Sequence, residues 1–283
     1  MKSFGDRRHK IVQGDVIEVL QGRRIKNNSV DLIFADPPYN IGKIYNGFKD
    51  KWYDDFHYIT WCYDWIDLAL EKLKDNGSFY LMASTQFMPY LDTYLANKVN
   101  IVSRIIWHYD SSGVQAKKSF GSLYEPILHC VKNKEEYVFN SDEIKVKTKT
   151  GAARQLIDYR KTPPSRYNDL KVPGNVWYFP RVRYRMEEYE EHPTQKPIQL
   201  LERIIKTSSN PEDLVLDIFS GTFTTAFVAK ELNRRSISIE ADNEYIEIGL
   251  RRVLDRKRLN GKKLYPVEKP YKRVNSIGTK DIS

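Results

Sequence analysis

Apolar positions along the chain alternate between two rhythms. Short apolar runs bounded by polar residues predict buried strands at Ile11-Val12, Val30 to Ala35, Ser78 to Met82, Val102 to His108, Tyr124 to Val131, Leu214 to Ile218 and Ser236 to Glu240. Apolar residues at helical spacing predict helices at Val16 to Leu20, about Asp55 to Lys74, Gln86 to about Ala96, Pro197 to about Thr207, Thr222 to Leu232, and from Asn243 onward. The second of these is expected to be closed by Asn76-Gly77. Strands alternating with helices imply an α/β fold, its sheet covered on both faces.

The rhythm breaks between Asp110 and about Arg185. After the strand ending at Val131 come Lys132, Lys134, Lys145, Lys147 and Lys149, then Arg154, Arg160, Lys161 and Arg166, mixed with Pro163-Pro164 and several tyrosines. This stretch reads as an inserted module. The expected division is 1–131 and 191–258 as two halves of one domain, 132–190 as the insert, and 259–283 as a weakly patterned basic tail, expected to be mobile. No internal repeat is found.

Composition narrows the class. A chain of 283 residues can bury a full core, and 41% hydrophobic with 13% aromatic residues suits a folded protein. Lys and Arg exceed Asp and Glu by 46 to 37, a net charge of +9. That fits a polyanionic partner, and equally a merely basic surface. No apolar run approaches the ~20 residues of a membrane span, and the basic N-terminus lacks an apolar signal core. A cytoplasmic protein with no membrane partner is expected. Cys62 and Cys130 are too few for a disulfide framework or a zinc site of their own, so both are expected as core thiols and no metal set is read.

Candidate chemistry lies at three strand ends. Asp36-Pro37-Pro38-Tyr39 follows directly on the strand at Val30 to Ala35. An exocyclic amine on a heteroaromatic ring is a poor nucleophile because its lone pair is delocalised. A carboxylate beside a backbone carbonyl accepts both N–H bonds, recovers that lone pair and stabilises the developing charge. Asp36 and the Pro37 carbonyl supply this pair, and the two prolines hold it rigid. Tyr39 offers a face for a base flipped from a duplex. The bland alternative is a strand-terminating turn.

Leu214 to Asp217, then Phe219-Ser220-Gly221-Thr222, reads as a strand and turn leading into a helix. Glu240 lies twenty-three positions after Asp217, where a carboxylate can take both hydroxyls of a ribose. One glycine is too few for a pyrophosphate but enough for a nucleoside lacking phosphate, and a structural turn also fits. In His192-Pro193-Thr194-Gln195-Lys196-Pro197, Thr194 is a candidate helix cap and Lys196 a candidate partner for a ligand carboxylate. His192 alone reads as a surface histidine. Asp15, after Gly14, suits either a nucleobase amine or the cap of the next helix.

In this order these segments resemble the β class of amino DNA methyltransferases, over about Ile11 to Arg252. The runs FADPPYNIGK, YDSSGVQAKK, LIDYRK, KVPGNVW, FPRVRY and HPTQKP are similar to those of orphan adenine-specific members. The resemblance implies a Rossmann-like S-adenosylmethionine-dependent methyltransferase fold with a mixed, mostly parallel seven-stranded sheet, circularly permuted, and a target-recognition insert. It implies S-adenosylmethionine as donor, double-stranded DNA as partner, a palindromic target of the ATGCAT type, and a homodimer as one possible assembly. Asp36 to Tyr39 would be catalytic. Asp15, Asp36, Thr194, Lys196, Asp217, Phe219, Ser220, Gly221, Thr222 and Glu240 would line the donor pocket. The family's donor loop reads F-x-G-x-G, and Phe223 replaces its second glycine here, which puts donor affinity or loop geometry in question.

For DNA contact the insert and its flanks offer Lys117, Lys118, Arg154, Tyr159, Arg160, Lys161, Arg181, Arg183 and Arg185, with Ser111, Ser112 and Gln115 beside them; each also reads as ordinary surface. Rival functions are weighed by residue type. An N4-cytosine enzyme more often carries Ser in place of Asp36. A C5-cytosine enzyme needs a cysteine after proline, whereas Cys62 follows Trp61 and Cys130 follows His129. A protein-glutamine methyltransferase would have Asn at position 36 and no basic insert. An inactive DNA-binding relative would not need Asp36 intact.

Overall fold

The computed structural model describes residues 2–110, 118, 120–149, 154–254, 258–259 and 262–263. Its centre is a nine-stranded sheet, numbered here in chain order: β1 (Lys2–Gly5), β2 (His9–Gln13), β3 (Val30–Ala35), β4 (Leu73–Met82), β5 (Asn100–His108), β6 (Tyr124–Val131), β7 (Val176–Tyr178), β8 (Leu214–Asp217) and β9 (Arg235–Glu240). The spatial order is β1-β2-β9-β8-β3-β4-β6-β5-β7. From β2 to β4 all neighbours are parallel. β6 runs antiparallel between β4 and β5, and β7 is parallel to β5.

Six helices cover this sheet: α1 (Val16–Gln21), α2 (Asp55–Lys72), α3 (Met88–Ala96), α4 (Ile198–Ser208), α5 (Thr224–Glu231) and α6 (Asn243–Leu254). In β3 the apolar run Leu32 to Ala35 is continuous because both faces of the strand are buried. Ile33 and Ala35 pack with α1, α2 and α3, while Leu32 and Phe34 pack with α4 and α5. A third cluster joins α5 and α6 to β2 through Ile11, Phe223, Ile246 and Leu250. Cys62 and Cys130 are buried free thiols, pushed up to about 12 by desolvation.

Several expectations need correction. Seven of the strands form the anticipated sheet, and β1 and β7 extend it at its two edges. β1 escaped notice because Lys2-Ser3-Phe4-Gly5 carries no apolar run; Asp6 turns it onto β2 antiparallel by accepting from the Arg8 and His9 amides. β7 lies in the insert yet pairs with β5, anchored by the buried Trp177. Helix α2 stops at Lys72, since Leu73 already pairs with Val30, and Asn76-Gly77 lie inside β4 instead of closing the helix. α5 begins at Thr224, two residues later than expected.

Elsewhere the insert forms two small hairpins, Val146–Lys147 with Leu170–Lys171 and Ile157–Asp158 with Ser165–Arg166. Asn140 ties it to the end of α4, its side-chain amide donating to the carbonyls of Lys206 and Ser209, which the helix leaves without partners. Among the described residues no helix is long and apolar enough to cross a membrane. Apart from 258–259 and 262–263, the tail lies outside the described residues, as do Ser111, Ser112, Gln115 and Lys117.

Candidate active site

The C-terminal ends of β3, β8 and β9 open onto one cavity of about 540 Å³, where an open α/β sheet receives its ligands. Asp36 is the first residue beyond β3. Of the two carbonyls that follow, that of Pro38 accepts from the Tyr58 hydroxyl at 2.7 Å. Among the described residues no donor meets the Pro37 carbonyl, so it stands beside Asp36 as a second acceptor. The loop beyond is stapled from within. Fully buried Asp50 accepts from the amides of Tyr39, at 3.1 Å, and Lys43. Asn40, at φ 56°, accepts from the Trp52 amide and donates to Asp55.

Around Asp36 the charges are paired. Lys196 donates to Asp36 Oδ2 at 2.5 Å and lies 3.8 Å from Glu125. The Tyr39 hydroxyl oxygen is 2.8 Å from Asp36 Oδ1 and 2.9 Å from Glu125 Oε2. Burial, with the charges of Asp36 and Glu125, pushes the Tyr39 phenol well above its ordinary range, so it stays neutral. Burial opposes charge on Lys196, but Asp36 and Glu125 outweigh it and the ammonium is raised. Lys196 was expected to face a ligand carboxylate. Only 8% exposed, it lines the cavity and donates to Asp36, because a buried cation needs an anion.

In the other half of the cavity, Asp217 ends β8 and accepts from the Phe219 amide at 3.1 Å. Glu240 ends β9 and accepts from the amides of Gly221, Ala241 and Asp242. Desolvation raises both acids to about 7. Gly221 has φ 47°, and a Cβ there would lie 3.0 Å from His192 Nε2, so the turn can pass beneath that ring only as glycine. His192 is no surface residue. It packs between the rings of Tyr45 and Tyr245, and burial, then Lys196 and Lys43, lower it to about 3, leaving it neutral.

Phe223 settles the loop-geometry question. It adopts the left-handed conformation that favours glycine, φ 60° and ψ 29°, while its ring is fully buried. Room for the ring comes from Gly249 on α6, where a Cβ would lie 2.7 Å from it. Arg252 of the same helix donates to the Thr222 carbonyl at 2.6 Å. The loop is thus anchored to α6 by a side chain instead of being freed by a glycine.

These residues fit S-adenosylmethionine. Asp217 and Glu240 are cavity acids that can accept from ribose hydroxyls or an ammonium, and Tyr45, Trp61 and Phe219 give apolar walls. Ser220 and Thr222 also line the cavity, as do Asp15 and Thr194. Asp15 is the α1 cap, accepting from the Ile17 and Glu18 amides. Thr194 caps nothing; the Glu188 carboxylate takes the free amide of Ile198 at the start of α4.

The structure brings together the Asp36 and Asp217 segments as expected, and adds Glu125, which the sequence reading passed over. Its signal was a lone acid in the apolar run of β6. The insert's cations are less uniform than the sequence suggested. Arg160 forms a double hydrogen bond to Asp158, and Lys161 donates to the Arg166 carbonyl and Asn168. Arg181 lies over the Tyr109 ring and Arg183 donates to the Asp110 carbonyl, both near the catalytic half. Lys118, Arg154, Tyr159 and Arg185 are exposed.

Residues 30–251 match the family model described as DNA methylase. The chain is 55% identical to the DNA adenine methyltransferase YhdJ of Escherichia coli, over 88% of this chain and 84% of that one. It is 33% identical to the type II methyltransferase M.HpaI of Haemophilus parainfluenzae, over 86% and 74%. The crystal structure of the M1.HpyAVI–SAM complex superposes with a TM-score of 0.60 at 25% identity, covering 86% of this chain and 98% of that one. PvuII DNA methyltransferase, cytosine-N4-specific, shares the fold at a TM-score of 0.65 and 19% identity, over 89% and 88%. With its acceptor pair, donor cavity and strand order in place, this chain belongs to the S-adenosylmethionine-dependent DNA methylases.

Proposed function

We propose that the protein transfers a methyl group from S-adenosylmethionine to N6 of an adenine flipped out of a short palindromic duplex site of the ATGCAT type. The observation that carries this reading is the Asp36 carboxylate beside the open Pro37 carbonyl, at the mouth of a cavity that ends in Asp217 and Glu240. Two acceptors side by side suit an NH2 group, and Asp at position 36 favours adenine over cytosine. The similarity to YhdJ, named for adenine methylation, supports the same choice.

S-adenosylmethionine, when bound, supplies an electrophilic methyl group on a sulfonium. Glu240 then accepts from the ribose hydroxyls, and Asp217 helps hold the rest of the donor. Asp36 and Pro37 orient the amine lone pair, and the Tyr39 ring supports the flipped base. In this reading 132–190 is the target-recognition region; Lys117, Lys118, Arg154, Tyr159, Arg160, Lys161, Arg181 and Arg183 contact DNA; and the enzyme works in the cytoplasm. A palindrome suits a two-fold dimer, and a monomer treating each strand in turn meets the same need.

The test is transfer of labelled methyl to duplexes with and without ATGCAT, followed by digestion to nucleosides. Label in N6-methyladenine, confined to the ATGCAT duplex, is expected. Label in N4-methylcytosine, or DNA binding without label, would overturn the proposal.

A further inference from the structure

The Tyr39 hydroxyl lies between two carboxyl groups and has one hydrogen to give. With 2.8 Å to Asp36 and 2.9 Å to Glu125, it can donate to only one of them. If both acids are ionised, the other contact sets a phenol lone pair against an anion. A single extra proton satisfies all three groups: the protonated carboxyl donates to the phenol oxygen, and the phenol donates to the second carboxylate. Moving that proton from one end to the other requires two hydrogen shifts along bonds already formed.

We propose that Asp36, Tyr39 and Glu125 form a relay that carries the proton released by the methylated amine from the catalytic acid to Glu125 and on to water. The inference rests on the amine-methylation reading above. As the N–C bond forms, the S–C bond breaks with its electron pair left on sulfur, and the amine nitrogen becomes cationic. One N–H proton passes to Asp36, which restores the nitrogen lone pair. Asp36 gives a proton to the Tyr39 oxygen while Tyr39 gives its own to Glu125 Oε2. The phenol is neutral before and after, Asp36 is ionised again, and Glu125 holds the proton.

Glu125 gives the proton a second outlet. Its side chain is 15% exposed, as open as the 14% of Asp36, it lines the same cavity, and it is free of the Lys196 contact that clamps Asp36 Oδ2 at 2.5 Å. The groups facing Glu125 are Tyr39, the Tyr109 hydroxyl at 3.5 Å and Lys196 at 3.8 Å, with Lys43 in reach of its charge and Arg181 acting on Tyr109. Lys196 and Lys43 are the cations within reach of Glu125, and the acceptor resets when it passes the proton to water. A purely structural Glu125 would only hold the Tyr39 ring in place.

The test uses the full-length protein, an adenine-containing ATGCAT duplex and labelled S-adenosylmethionine in single-turnover quench experiments across pH. Glu125→Gln keeps the shape, and Tyr39→Phe keeps the ring while deleting the relay hydroxyl. Each is expected to slow transfer near neutral pH about 10²-fold, the lower end for a lost acid–base group. The deficit should shrink as pH rises and solvent takes the proton directly. Glu125→Ala should recover with added formate, and the double variant should be no slower than the worse single one.

Donor and duplex affinities, by calorimetry and fluorescence anisotropy, should stay within about twofold. Unchanged rates, additive losses, or a pH profile merely scaled down with no rescue by formate would overturn the relay while leaving the proposed function standing. A wild-type protein that labels no adenine would overturn both.

Discussion

Replacing Phe223 by glycine, which restores the commoner family loop, should damage the protein. Two terms oppose each other. Glycine releases the left-handed strain at φ 60°, a gain of ~1–2 kcal/mol. It also empties a fully buried site among Ile11, Ala226, Ile246 and Leu250, and large-to-small changes at buried phenylalanines cost about 3–5 kcal/mol. The net expectation is a loss of roughly 1–4 kcal/mol, measured as a lower urea midpoint at unchanged slope. Donor affinity should fall as well, because the ring, together with the Arg252 hydrogen bond to the Thr222 carbonyl, ties the loop to α6. Gly249→Ala attacks the same contact from the other side by overpacking, at about 1–3 kcal/mol. Combined, the two changes should cost less than their sum, since the added methyl then enters the space left by the ring. A Phe223→Gly protein as stable as the parent, or strict additivity with Gly249→Ala, would refute the anchoring argument.

Asp36→Asn should cut methyl transfer by about 10²–10³-fold with donor affinity little changed, read by labelled transfer and calorimetry; equal loss of both would remove Asp36 from the catalytic role. Tyr39→Ala should impair turnover more than duplex binding, and an unchanged rate would dismiss it as the support for the base. Donor binding should weaken as pH falls below about 7, by up to about tenfold per unit for each acid, because Asp217 and Glu240 must ionise to accept from the donor. Calorimetry in buffers of different ionisation heat should show proton release, and a flat affinity from about pH 6 to 8 would contradict it. The same acids hold protons in the folded state that the unfolded chain has shed. The donor-free protein should therefore lose stability as pH rises from about 4 to about 7, and chemical denaturation across that range tests this.

The strands and helices that carry the cavity were legible because burial on two faces writes itself as uninterrupted apolar runs, as in β3 and β8. Position 36 stood out because a carboxylate directly beyond a buried strand and locked by two prolines falls at the C-terminal edge of the sheet, where the cavity opens. What escaped notice depended on partners distant in sequence. Glu125 belongs to the site only because β6 inserts antiparallel between β4 and β5, and nothing local in Tyr124-Glu125-Pro126 announces Tyr39 across from it. Lys196 was read toward a ligand because its attachment to Asp36 spans 160 residues. The Phe223 substitution left the loop geometry in question until Gly249, 26 positions on, proved to be its complement. Edge strands β1 and β7, four and three residues long, are too short to stand out, and β1 is largely polar as well, since exposed edges do not need an apolar pattern.

The placement of β7 also bears on how specificity could be exchanged between relatives. A graft that swaps 132–190 as a block would strip an edge strand from the sheet, leave the outer edge of β5 unpaired, and remove the rings of Trp177 and Phe179 that Arg203 of α4 lies over at 5.1 and 4.5 Å. A cut placed before Gly174 would leave that seam with the recipient and transfer only the hairpins. For a designer of chimaeric enzymes, the exchangeable part of the insert is therefore shorter than its basic composition suggests, and its downstream border is a structural joint of the central sheet.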